Sequence, residues 1–117
     1  MRFNLGNALL AAGRGDEAAR ELTRAVALNP ENADAHFNLA MLLGPRGEVD
    51  AAIVHLERVI AIDPRHADAF RNLAMALGLR GRLDDALVRA RTARRLAPQS
   101  PEITQLLAQL ETAAARR

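Results

Sequence analysis

The chain has 117 residues, half of them hydrophobic, with 16 arginines, no lysine, 14 acids and a formal net charge of +2. A chain of this size buries roughly two-thirds of its unfolded surface, enough for one continuous core. Without cysteine it forms no disulfide or thiolate metal site, and no apolar run approaches the ~18 residues of a membrane span. No charged-apolar-small leader opens the sequence, and a cytoplasmic protein is the expectation.

Helical spacing of apolar residues predicts a first helix over about residues 2–12, turned at Gly13-Arg14-Gly15. Asp16 reads as the N-cap of a second helix over 17–28, with its charge at the positive helix end. Asn29-Pro30 ends that helix, and Asp34 lies in the first turn of the next. There Phe37, Leu39, Ala40, Leu42 and Leu43 recur at helical spacing until Gly44-Pro45-Arg46-Gly47 interrupts. Pro45 lacks an N–H and disfavours helical geometry at Gly44, so this helix is expected to end near Leu43, about one turn before its counterparts.

Ala52, Ile53, Leu56, Val59 and Ile60 mark the following helix, stopped by Asp63-Pro64, and a further pair is expected over 68–79 and 83–96. Ser100-Pro101-Glu102 is then a helix start: a capping hydroxyl, proline at the first position and an acid in the first turn. Ile103, Leu106, Leu107, Leu110 and Ala114 form one apolar stripe, with Thr104, Gln105, Glu111 and Thr112 off it. Residues 101–115 are expected to be a capping helix with one polar face; the alternative is the first helix of a fourth repeat.

The chain repeats itself. Residues 33–66 fall onto 67–100 without a gap, a period of 34, and residues 1–32 match in the same frame with two positions missing. Asn4-Leu5, Asn38-Leu39 and Asn72-Leu73 recur, as do Gly13, Gly47 and Gly81, Ala18, Ala52 and Ala86, and Pro30, Pro64 and Pro98. Met1 enters this frame two residues late, without an N-cap residue before the first helix, so a longer parent chain is expected. A lone helix pair cannot bury both apolar faces, so the copies must stack. Small residues at Ala40, Ala52, Ala74 and Ala86 would let neighbouring helices approach closely.

This pattern resembles the tetratricopeptide repeat family over residues 1–100. The resemblance implies an all-α, right-handed superhelical solenoid of antiparallel helix pairs: repeats at 1–32, 33–66 and 67–100, then the cap, in a single domain. The chain departs from the family at its aromatic positions, carrying Arg2, His36 and Phe70, then Leu9, Leu43 and Leu77, then Leu22, Leu56 and Ala90.

No catalytic constellation is visible and no cofactor or metal is expected. His36, His55 and His66 lie in different elements at no ligand spacing; they read as a packing residue, a helix surface and a turn. The resemblance implies a module without enzymatic activity, binding a protein or extended peptide on the concave face lined by first helices. Asn4, Asn38 and Asn72 offer one amide per repeat, a donor and an acceptor matching a peptide unit. Such a ladder resembles that of O-linked N-acetylglucosamine transferases; the alternative is that each amide bonds within its own repeat. Around it the expected groove residues are Phe3, Asn7, Asp34, Phe37, Met41, Asp68, Arg71 and Met75. Met41 and Met75 read first as core and, if exposed, as an adaptable apolar strip.

The family members that hold acidic chaperone tails use a basic clamp with two asparagines. Asn7 and Asn38 match the asparagines, but Phe3, Asp68 and Asn72 stand at the basic positions, and Asp68 would repel a carboxylate. The positive charge lies elsewhere: Arg80, Arg82, Arg89, Arg91, Arg94 and Arg95 against Asp84 and Asp85. Arg89, Arg91, Arg94 and Arg95 are candidates for anion contact. Nucleic acid is disfavoured because no aromatic residue interleaves with them, and a solvated face is the simpler reading. Two further readings stay open: the recognition domain of a larger glycosyltransferase- or sulfotransferase-like enzyme, and self-association through residues 101–115.

Overall fold

The computed structural model describes residues 14–117. The helix expected over residues 2–12, with Phe3, Asn4 and Asn7, lies outside them. Six helices and no strand occur among the described residues: α1 (Gly15–Leu28), α2 (Ala33–Leu43), α3 (Val49–Ile62), α4 (Ala67–Leu79), α5 (Leu83–Leu96) and α6 (Pro101–Ala115). They fall into two compact units, the first ending at Ile62 and the second running from Asp63 to Arg117.

In the first unit, α1 starts at Gly15, two residues before the expected position. Arg14 precedes it without a side-chain cap, and Asp16 sits inside the first turn. The Asp16 carboxylate is drawn instead to Arg46, 2.6 Å away. Gly15 leaves room for that reach, since a Cβ there would lie 2.9 Å from Arg46 Nη2. Leu22, Ala25 and Val26 of α1 pack with Ala35 and Leu39 of α2, and α3 contributes the buried Ala52, Ile53, Leu56 and Val59.

The second unit is built the same way. α4 buries Ala69, Phe70, Leu73, Ala74, Ala76 and Leu77. α5 buries Ala86, Leu87, Ala90 and Ala93, and α6 closes the core with Ile103, Leu107 and Leu110. Ala40, Ala52, Ala74 and Ala86 are all buried, as close helix approach requires. The polar residues Thr104, Gln105, Glu111 and Thr112 of α6 are exposed. Gly78 permits α4 to approach α6: a Cβ there would lie 3.0 Å from Leu110 Cδ2.

Helix ends repeat with the sequence. After α2, Gly47 takes φ 83 and Glu48 N–H donates to the Leu43 carbonyl at 3.0 Å. After α4, Gly81 takes φ 76 and Arg82 N–H donates to the Leu77 carbonyl at 2.9 Å. Both are glycine-closed helix ends in which the left-handed residue frees the next N–H to reach back. α2 ends at Leu43 as Pro45 requires. Yet the closing bonds fall at equivalent residues, so the proline shortens the helix without changing how the turn closes.

The N-caps of α2, α4 and α6 also fall in the 34-residue register. Asn32 Oδ1 accepts from Ala35 N–H at 3.1 Å, His66 Nδ1 from Ala69 N–H at 3.1 Å, and Ser100 Oγ from Ile103 N–H at 3.3 Å. His66 is therefore a cap rather than a turn residue alone. Removing it as His66→Ala should cost about 1 kcal/mol in denaturant unfolding at pH 8, whereas His66→Asn, which transplants the cap of α2, should cost a few tenths. Equal losses would show that the ring only packs.

Candidate functional site

The core face of α2 is Ala35, His36, Leu39 and Ala40. Asp34, Phe37, Asn38 and Met41 come off that face at i, i+3, i+4 and i+7 and form one stripe. Asp34 is exposed and the other three are half-buried. On α4, Asp68, Arg71, Asn72 and Met75 form the same stripe. Asp68 is exposed, Arg71 and Asn72 are half-buried, and Met75 is 42% exposed.

The structure thus brings each expected quartet together on one face of its own helix. Neither methionine belongs to the buried core, which corrects the first reading of both. Met75 turns outward because Leu73, Ala74, Ala76 and Leu77 already fill the buried side of α4. Arg71 lies over it, Nη1 to Sδ 3.9 Å. Phe37 and Asn38 both have partners within the chain, whereas Asn4 and Asn7 lie outside the described residues.

Beside the α4 stripe runs a shallow groove of about 290 Å³, lined by Met75, Leu79, Leu83, Leu106, Leu110 and Ala113 with Gln109 among them. Leu79 is 75% exposed at the end of α4. Sequence spacing missed this groove because Leu79 and Leu83 flank a turn and belong to no single helical stripe.

The arginines of α5 do not form one uniform surface. Arg89 is half-buried, its guanidinium 6.0 Å from the Phe70 ring centroid, a cation–π contact. Arg82 pairs with Asp85 at 3.0 Å. Arg91, Arg94 and Arg95 remain on the exposed side. Arg94 and Arg95 occupy the last turn of α5, where cations offset the negative helix end, and Arg95 Nη2 donates to Thr92 Oγ1 at 3.1 Å.

The histidines give the clearest departure from the sequence reading. His36 and His55, nineteen positions apart, meet across α2 and α3 with Nδ1 to Nδ1 at 3.0 Å. Their ring centroids are 5.2 Å apart. His36 is 8% exposed, and its Nε2 lies 2.9 Å from the Pro30 carbonyl. His55 is half-buried rather than a surface residue, and burial, then the neighbouring His36, lowers its pKa below the ordinary 6.5. Among the described residues no three histidine, aspartate or glutamate side chains converge as a metal site.

Two tetratricopeptide repeat family models match the sequence, one over residues 46–110 and the other over residues 3–53. The chain belongs to the tetratricopeptide repeat family. No curated protein matches it significantly. The first tetratricopeptide domain of Spaghetti (RPAP3), bound to the HSP90 peptide SRMEEVD, is similar with a TM-score of 0.92 at 21% identity, over 97% of this chain and 90% of that one. MamA has a TM-score of 0.92 at 24% identity, over 97% of this chain and 67% of its own. The second such domain of human RPAP3, in complex with the HSP70 peptide SGPTIEEVD, gives 0.87 at 23% identity, over 94% and 92%. At these identities the likeness is one of fold, and it is the all-α tetratricopeptide solenoid fold.

Within this tetratricopeptide chain one exposed ion pair has a measurable signature. Arg117 Nη2 lies 2.7 Å from Asp84 Oδ1, and this hydrogen bond with its charge holds the carboxyl below the ordinary 3.8. An NMR titration should place the Asp84 midpoint below 3.8 and return it toward that value in Arg117→Ala. A midpoint unaffected by the substitution would show that the pair does not persist in solution.

Proposed function

We propose that the chain is a protein-interaction module in which each unit offers an extended peptide segment one stripe of side chains, Asp34, Phe37, Asn38 and Met41 in the first and Asp68, Arg71, Asn72 and Met75 in the second. The observation that carries this reading is the repetition of the stripe. Each helix carries, off its core face, a carboxylate, an amide and a thioether at the same three positions of the repeat. Amides pair with a peptide unit whatever its side chains, and methionine adapts to varied apolar groups.

The peptides held by the two RPAP3 domains end in Glu-Glu-Val-Asp, and their fold likeness supports a peptide ligand here. It does not carry over the acidic class. The exposed Asp68 stands where an acidic tail would need a cation, and like charge at that point discriminates against such a ligand. The preferred segment is therefore neutral or basic near this residue. Residues 1–117 act in this reading as one repeat domain. No helix among the described residues is long and apolar enough to cross a membrane.

The test is a library of immobilised unstructured 12-residue peptides of varied charge, probed with wild type, Asn38→Ala/Asn72→Ala and Arg91→Glu/Arg95→Glu. Neutral or basic peptides should be retained by wild type and by the arginine variant. The asparagine variant should lose about tenfold in affinity, on the order of the two lost hydrogen bonds. Retention of SRMEEVD as the preferred peptide would overturn the charge argument. Binding lost only in the arginine variant would move the site to α5.

A further inference from the structure

The contact between His36 and His55 fixes its own proton inventory. A carbonyl oxygen only accepts, so His36 Nε2, 2.9 Å from the Pro30 oxygen, carries a hydrogen and donates. In the neutral ring the other nitrogen, Nδ1, is then an acceptor. His55 Nδ1 lies 3.0 Å from it and must be the donor. A proton added to His55 goes to its Nε2 and leaves this bond intact. With both rings protonated, every ring nitrogen carries a hydrogen and the Nδ1–Nδ1 contact has no acceptor.

We propose that His36 and His55 form an acid-sensitive clasp between α2 and α3, closed while at most one ring is protonated and open when both are.

The repeat itself supplies the comparison. Advanced by 34 residues, His36 and His55 become Phe70 and Arg89, and these two also meet across their helices, guanidinium to ring at 6.0 Å. One structural position thus joins the two helices of a pair in both units. In the second unit it is filled by a ring and a permanent cation, which keep their charge across the physiological range. In the first it is filled by two imidazole rings, each with one nitrogen that can take up a further proton. In sequence register the same position of the first copy holds Arg2 and Glu21.

No other charge competes for the clasp among the described residues: the ionisable group acting on the His55 ring is His36. Along α3, Arg58 is committed to Glu31 at 2.6 Å, and Glu57 and Asp50 are exposed. On α2 the acid is Asp34, on the exposed stripe. From α1 the residues facing α2 are Leu22, Ala25 and Val26. The α1 acids are engaged elsewhere: Asp16 with Arg46, Glu17 with Arg14 and Glu21 with Arg24. The lowered pKa of His55 sets the sign. The folded chain binds fewer protons at His55 than the unfolded one, so this stabilisation is present above pH 6.5 and declines as pH falls through the lowered value, the clasp itself opening once His36 is protonated as well.

The test measures thermal midpoints of wild type, His36→Phe/His55→Arg and His55→Asn from pH 7.5 down to 5. The first variant transplants the pair of the second unit; the second keeps a donor toward His36 without a titrating ring. His66 and all carboxylates are common to the three, so the difference isolates the clasp. Wild type should lose roughly 5 °C more than either variant over this range. Equal losses in wild type and His55→Asn would overturn the proposal, whether or not the double variant folds. Nitrogen-15 spectra of the imidazoles at pH 7.5 should show His36 protonated at Nε2 and His55 at Nδ1; the reverse pattern would also overturn it.

Discussion

Close approach of paired helices is the constraint from which the other features follow. Ala40 and Ala52 in one unit and Ala74, Ala86, Ala90 and Ala93 in the other are buried, so backbones approach where longer side chains would hold them apart. With no Trp or Tyr in the chain, the remaining volume is filled by Leu22, Leu56, Val59, Leu73, Leu77 and Ile103. Among the described residues the buried aromatic and imidazole rings are His36 and Phe70, in the first turn of α2 and α4. The residue facing each is polar, His55 in one unit and Arg89 in the other. A small-residue seam thus produces both the dense core and the two ring contacts that tie each helix pair together.

The same packing decides what remains outside. Once α2 and α4 have turned their apolar residues inward, the next positions along each helix form an outward stripe carrying a carboxylate, an amide and a thioether. The arginines of α5 play a more structural part than their density suggests. Arg89 lies against a ring and Arg94 and Arg95 offset a helix end, while Arg82, at the N-cap, pairs with Asp85.

Much of the fold was legible because its signals are local. Ser100-Pro101-Glu102 started α6 at the expected residue, Pro45 ended α2 at Leu43, and the 34-residue register located the turn glycines. Of the candidate site, Asp34, Phe37, Asn38 and Met41, and Asp68, Arg71, Asn72 and Met75, were expected from the family resemblance, and helical spacing puts each quartet on one face of its own helix. What spacing does not encode is a partner on another element. Asp16 reads as a cap, and only the position of Arg46 shows why it is not one. Asn32 and His66 cap α2 and α4, which the spacing of apolar residues does not reveal. His36 and His55 share no short motif, because nineteen residues and a turn separate two rings that meet only once α2 lies against α3. Phe70 and Arg89 were missed for the same reason.

The central claim, that the stripes of α2 and of α4 recognise peptide, is tested most directly by amide chemical-shift mapping of the 12.7 kDa chain. The titrant is a neutral or basic extended peptide retained from a library. The account predicts that the amides and side chains of Asn38, Met41, Asn72 and Met75 shift with the added peptide while Arg91, Arg94 and Arg95 stay in place. Shifts confined to α5, or to the polar face of α6, would contradict it.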